Sequence, residues 1–344
     1  MQTEAKRKSG WLRRWIKRFF VTLAALVLLL VVTGAIYQYV ATVQDARKYP
    51  PPGKMVDVGG FKMHLNCIGE GSPTVVLDSG LFFGAFGWNN VTQEIAKFTR
   101  VCTFDRAGVG WSEASPNGRG INQINKELHD LLTNAGEQKP FIFAGHSIAG
   151  MYAQNYANIY ADEVVGVVLI DSSHAEQTIR NPDSAPPIML ARTAKIAAPV
   201  GIFRLVMGAS SGDSLETQER KALQNSTKHL YATADEILAI EENSRILREK
   251  PMQLGDKPLI VLTRSLEIQP DDTERYVQAT EHWKEMQKDL ASRSTDSKHI
   301  IAEKAGHVIQ KDEPEDADWD SNFCDSCEPY RRRVVRVANN LFRV

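Results

Sequence analysis

The run Gly145-His146-Ser147-Ile148-Ala149-Gly150 follows the apolar stretch Phe141-Ile142-Phe143-Ala144 and opens a helical pattern over residues 148–160. A serine on a tight turn from strand to helix is placed to act as a nucleophile. The sharp backbone projects its hydroxyl from the strand end, and the helix N-terminus favours the negative charge that develops there. Such a turn needs small residues on both sides, here Gly145 and Ala149. The strict G-x-S-x-G spacing is broken, because the second glycine comes at 150. A serine that merely caps a helix would show the same local pattern, so Ser147 has to be argued from its partners.

A general base must reach the serine hydroxyl from a loop at a strand end. Of the eight histidines, His307 alone follows the final apolar strand pattern, Ile300-Ile301-Ala302, on a loop. His174 is its rival, and His146 reads as a packing residue beside the nucleophile. His64, His129, His229, His282 and His299 read as surface or strand positions. A carboxylate must then fix the imidazole tautomer, in the chain order serine, acid, histidine. Asp171 ends an apolar strand at 164–170, and Glu267 follows another at 259–262, with Asp271 and Asp272 close behind. The oxyanion that forms in acyl transfer needs two backbone N–H donors. Ile148 should supply one and Leu81, beyond Ser79-Gly80, the other. Gly80 and Gly84 would let that loop approach a substrate closely.

These residues must be held by strands alternating with helices. Strand patterns lie at 61–67, 74–77, 101–104, 141–144, 164–170, 259–262 and 300–302. Helical spacing marks 122–134, with Ile124, Leu128, Leu131 and Leu132 on one face, as well as 148–160 and about 329–342. That alternation predicts an α/β fold with a mostly parallel sheet covered on both faces. Between 172 and 256 the alternation stops and the pattern becomes helical, which predicts a cap inserted over the sheet.

The N-terminal segment is of another kind. Lys6, Arg7, Lys8, Arg13, Arg14, Lys17 and Arg18 precede residues 19–40, which carry no charge. As a helix, such a stretch crosses a hydrocarbon core of about 30 Å. The basic flank predicts a cytoplasmic N-terminus and an extracytoplasmic domain. Trp11 and Trp15 on one side and Tyr37 and Tyr39 on the other suit an interfacial belt. A signal anchor is the favoured reading. A cleaved signal peptide would have a long core and no clean A-x-A site, and a buried core helix is the third reading. The expected organisation is a basic tail at 1–18, a transmembrane helix at 19–40, a linker at 41–54 closed by Pro50-Pro51-Pro52-Gly53, and the folded domain at 55–344.

With 41 Lys and Arg against 42 Asp and Glu, the net charge of −1 gives no argument for nucleic-acid binding. No cofactor or metal is expected. Cys324-Asp325-Ser326-Cys327 is only half a zinc site. The acidic stretch 312–320 reads as a solvated face.

Taken together, Leu77-Asp78-Ser79-Gly80-Leu81, the run Phe104-Asp105-Arg106-Ala107-Gly108-Val109-Gly110-Trp111-Ser112, Gly145-His146-Ser147 and Ala305-Gly306-His307 resemble the α/β-hydrolase superfamily from about residue 55 onward. The resemblance departs from the usual pattern at Ser79-Gly80, where many members have His-Gly. It implies an eight-stranded sheet with an antiparallel second strand and a helical cap after the sixth strand. It also implies a catalytic triad whose acid follows the sixth or seventh strand. Asp171 fits the first position and Glu267 the second, and the run Leu169-Ile170-Asp171-Ser172-Ser173-His174 favours Asp171. In such a fold Cys67 and Cys102 lie on neighbouring strands and would form a disulfide outside the cytoplasm.

The expected function is that of a serine hydrolase acting on a small-molecule acyl substrate, with residues 19–40 as its membrane contact. The alternatives are an acyltransferase, peptidase or perhydrolase with the same triad, and a non-catalytic membrane-tethered binding module.

Overall fold

A computed structural model describes residues 2–312 and 334–338, apart from 185, 211 and 266–271. Eight strands form one sheet: β1 (Lys54–Asp57), β2 (Lys62–Ile68), β3 (Thr74–Asp78), β4 (Val101–Phe104), β5 (Phe141–His146), β6 (Val164–Ile170), β7 (Leu259–Arg264) and β8 (Ser297–Ala302). Their spatial order is β1-β2-β4-β3-β5-β6-β7-β8. β2 runs antiparallel to both its neighbours, and every later pairing is parallel. The eight-stranded expectation therefore holds. β1 was not anticipated, because its four residues are too short to show a period.

Side chains alternate across the pleat, which splits the core into two layers. Phe141 and Phe143 join Val76, Val167, Leu169 and Val261 on one face. Ile142 and Ala144 join Val75, Leu77, Val168 and Ile260 on the other. The helices are α1 (Gln2–Lys48), α2 (Asn89–Ala96), α3 (Ile121–Ala135), α4 (Ile148–Ile159), α5 (Gln177–Arg180), α6 (Ile188–Ala197), α7 (Ile202–Met207), α8 (Leu215–Gln224), α9 (Thr227–Glu249), α10 (Glu274–Ala291) and α11 (Ile309–Asp312), of which α2, α3, α4 and α10 pack against the strands. Of the expected C-terminal helix, residues 334–338 are helical and bury Val334, Val337 and Ala338 against the second layer; the rest lies outside the described residues, as do Cys324, Cys327 and the acidic stretch beyond Asp312.

The cap consists of α5 to α9, inserted between β6 and β7 where the alternation was seen to stop. The expected linker at 41–54 is a correction. α1 continues without a break to Lys48, because nothing in the sequence interrupts it before Pro50. α1 is also long and apolar enough to cross a membrane. Cys67 and Cys102 face each other in the β2–β4 register and form a disulfide, with their Cα atoms 4.0 Å apart.

Candidate active site

Parallel strands end at a common edge, and the register brings three of them to it together. His146 on β5 pairs with Ile170 on β6, and Ile170 pairs with Leu262 on β7. Ser147 and Asp171, the next residues on β5 and β6, therefore stand side by side, about 4.8 Å apart at the backbone spacing of neighbouring strands. His307 reaches them from the loop after β8, across the end of β7. Its Nε2 lies 3.0 Å from Ser147 Oγ and its Nδ1 2.5 Å from Asp171 Oδ2. The Nδ1–H donates to the carboxylate, which leaves Nε2 free to accept the serine proton.

The serine sits on a strained turn, with φ 57° and ψ −124°, a region that costs a non-glycine residue about 1–3 kcal/mol. Three backbone bonds hold it. Ser147 N–H donates to Ile170 O, and Ser147 O accepts from Gly150 N–H and Ser173 N–H, each at 3.0 Å. The small-residue requirement holds at Gly145, where a Cβ would lie 2.6 Å from Ala149 O, and extends to Gly150. A Cβ on Gly150 would lie 1.9 Å from Ser172 Oγ, so the first turn of α4 crosses the β6 end only with glycine there.

Asp171 is fully buried and also adopts a positive φ of 41°. Its Oδ1 accepts from Trp283 Nε1 at 3.2 Å and Arg264 N–H at 3.3 Å. Its Oδ2 accepts from Arg264 Nη1 at 2.5 Å as well as from His307. Arg264 Nη1 also lies 2.9 Å from His307 Nδ1. Both nitrogens are donors when Nδ1 serves the carboxylate, so this contact is two donors sharing Oδ2 rather than a bond between them. The guanidinium packs over the Trp283 ring, 4.9 Å from its centroid. Glu267 and Asp271, weighed as other acids, lie outside the described residues. His174 is turned away, bound to Asp289 Oδ2 at 2.9 Å. His146 donates from Nε2 to the His307 carbonyl at 2.7 Å. Burial, with His307 close by, pushes its pKa down to about 4.

Ile148 opens α4, so its N–H has no partner within the helix. Leu81 follows Gly80 in a turn closed by Phe83 N–H donating to Gly80 O at 3.2 Å. Leu81, Ile148, Met151 and Ile240 line a niche of about 100 Å³ on one side of Ser147. A larger cleft of about 550 Å³, also reaching Ser147, is lined by Gln177, Asn181, Arg264, Trp283 and His307.

The turn bearing Leu81 is clamped from two directions. Arg106, beyond the end of β4, donates to Asp78 Oδ1 at 2.5 Å, Ser79 O at 2.7 Å and Gly80 O at 3.2 Å. Its other edge makes a two-pronged pair with Glu236 of α9, both bonds at 2.9 Å. From the same cap helix His229 Nε2 donates to Phe82 O at 3.1 Å, while its Nδ1 accepts from Gly110 N–H at 3.1 Å. His229 was read as a surface or strand position; it is a fully buried residue of a cap helix. Gly84 does not serve close approach to a substrate. Its missing Cβ makes room for Asp105, whose Oδ1 would lie 2.1 Å away and instead accepts from Ala85 N–H at 2.8 Å.

Sequence reasoning thus named Ser147, His307, Asp171, Leu81 and Ile148, and the fold brings them together. It missed Arg264, Trp283, Glu236 and His229. The only available signal was Arg264, a charge closing an apolar strand.

The family model described as alpha/beta hydrolase matches residues 75–317. The uncharacterized protein YbdG of Bacillus subtilis (strain 168) is 30% identical over 196 residues, 56% of this chain and 60% of YbdG, so the chain spans less than two thirds of that relative. A probable hydrolytic enzyme from Pseudomonas aeruginosa PAO1 has a similar structure at a TM-score of 0.57 and 19% identity, covering 76% of this chain and 90% of its own. A thermophilic esterase from Thermogutta terrifontis aligns at a TM-score of 0.51 and 18% identity, covering 75% of this chain and 92% of its own. At these identities the structural likeness establishes the fold alone. The family match spans residues 75–317, including the turn at Ser147, the cap and the loop bearing His307, and the chain belongs to the alpha/beta hydrolase family.

Proposed function

We propose that the chain is a serine hydrolase cleaving an ester or other acyl bond through an acyl-enzyme on Ser147, tethered to a membrane by residues 19–40. The observation that carries this reading is the chain of contacts from Ser147 Oγ to His307 Nε2 at 3.0 Å and from His307 Nδ1 to Asp171 at 2.5 Å. Ser147 Oγ attacks the carbonyl carbon as its proton passes to His307 Nε2. The oxyanion is met by the N–H groups of Leu81 and Ile148. As the tetrahedral species collapses, the leaving group takes the proton from His307. Water, deprotonated by the same imidazole, then attacks the acyl-enzyme and frees Ser147. Asp171 holds the tautomer and stabilises the imidazolium. Membership of the alpha/beta hydrolase family supports the reaction class.

A fluorophosphonate probe tests the nucleophile. Wild type should label stoichiometrically and Ser147→Ala should not; equal labelling of both would remove Ser147 from the reaction. The tether is tested by alkaline carbonate extraction, which should leave the chain in the membrane pellet.

A further inference from the structure

The cap carries an apolar surface that none of the described residues covers. On α7, Ile202, Leu205 and Val206 follow helical spacing and are 50%, 72% and 79% exposed. On α6, Met189 and Ile196 are 73% and 79% exposed. Apolar side chains so exposed on adjoining helices mark a contact surface.

Their position along α1 identifies what they contact. The side chains from 11 to 33 are all exposed, and α1 then packs against the cap. A Cβ on Gly34 would lie 2.5 Å from Val200 O, so the backbones of α1 and of the turn between α6 and α7 touch there. Gly201 packs against Tyr37 and Gln38. A span of about 20 residues is needed to cross a hydrocarbon core, and counted from Phe19 it ends near Gln38. Gly34 is four residues below that point, about 6 Å at the helical rise. The start of α7 therefore lies at the level of the last turn of the span, not above it.

The polar contacts agree with this placement. Gln38, inside the uncharged stretch, is only 2% exposed. It donates to Asn225 O at 2.7 Å and accepts from Arg204 Nε at 3.0 Å. Arg204 also pairs with Asp45 at 2.5 Å, nearly two turns further along α1. Gln38 and the Nε and Nη1 groups of Arg204 thus bond to protein at this level, although Arg204 Nη2 and Asn225 Oδ1 are buried without a partner, while Ile202, Leu205 and Val206 stay exposed.

We infer that the exposed apolar face of α7, with Met189 and Ile196 of α6, docks into the outer layer of the same bilayer that α1 crosses. The catalytic domain is then held by two contacts, a span and a monotopic cap, which fix its orientation on the membrane. The inference rests on the tether proposed above.

The test uses the full chain reconstituted in phosphatidylcholine–phosphatidylglycerol vesicles. A bilayer-soluble diazirine is photolysed and adducts are mapped by peptide mass spectrometry. Adducts are expected on α1 within 19–33 and on the peptide carrying Ile202, Leu205 and Val206. None is expected on Ile159 or Ile301, which are 44% and 45% exposed elsewhere on the domain. Leu205→Asp with Val206→Asp should lower labelling of the α7 peptide about tenfold or more, since each carboxylate opposes transfer to lipid, with α1 labelling unchanged. Labelled α1 with an unlabelled α7 peptide overturns the docked cap and leaves the tether standing. Absence of label on both overturns the tether, and the docked cap with it. Cross-linking of α7 to a second copy in place of lipid labelling also overturns the inference.

Discussion

Replacing Asp171 by Asn is the most decisive perturbation of the proposed triad. The backbone tolerates it, because asparagine accepts the positive φ of 41° at this position better than other side chains. The volume is unchanged, so the fully buried site stays packed. The electrostatics change. The carboxylate accepts four hydrogen bonds, from Trp283, the Arg264 backbone, the Arg264 guanidinium and His307. The amide loses the charge that stabilises the imidazolium and can hold the wrong tautomer. Losing the carboxylate from a serine–histidine–aspartate arrangement lowers kcat about 10⁴-fold, about 5 kcal/mol in the transition state. Arg264 already shares Oδ2, so part of the negative charge is spoken for, and the expected loss is about two to four orders of magnitude in kcat. The assay is steady-state hydrolysis of a short-chain p-nitrophenyl ester, with a thermal melt of each variant to show that it is folded. Glu267→Gln in the same assay should leave kcat within about twofold of wild type. If Asp171→Asn retained wild-type kcat while Glu267→Gln lost it, the acid would follow the seventh strand and the geometric argument would fail.

Three further outcomes follow from the surroundings of the site. His146 and His229 are each pushed down to about 4 by burial from an ordinary 6.5. Between those values the unfolded chain binds protons that the native one refuses, so stability is complete above pH 6.5 and falls as pH drops toward 4, by about 3 kcal/mol for each imidazole. Asp78, raised to about 6 by burial, acts in the opposite sense below that pH. These three groups together lose about 3 kcal/mol. His174 and His299, also held down by burial, add to the loss, and urea midpoints that stay level over this range would contradict it. Arg106→Met strands Asp78 and Glu236 in the interior, and should lower unfolding stability by about 3–5 kcal/mol, read from guanidinium midpoints. The Cys67–Cys102 bridge closes a separation of 35 residues. Replacing both cysteines by alanine should cost about 4 kcal/mol in the same measurement, and an unchanged midpoint would count against the bridge.

Much of this protein was legible in the chain because its signals are local. The strand–turn–helix at Ser147, the uncharged stretch 19–40 and the change from alternating strands to helices at 172 each arise from period and side-chain type within a short window. Those features determined the α/β class, the position of the cap and the choice of Ser147 as the proposed nucleophile. Strand position and chain order left Asp171 and Glu267 equal, and only the resemblance of the run 169–174 favoured Asp171. The β5–β6 register makes Asp171 the neighbour of Ser147, and register depends on pairings between residues far apart in sequence. The same holds for Arg264, Glu236 and His229. A half-buried arginine, or a buried glutamate or histidine, on a helix or strand looks like any solvated charge until the packed fold supplies its partners. The extent of α1 is the reverse case. Nothing local ends the helix before Pro50, and only its packing against Val200 and Gly201 shows where the apolar span gives way to a protein contact.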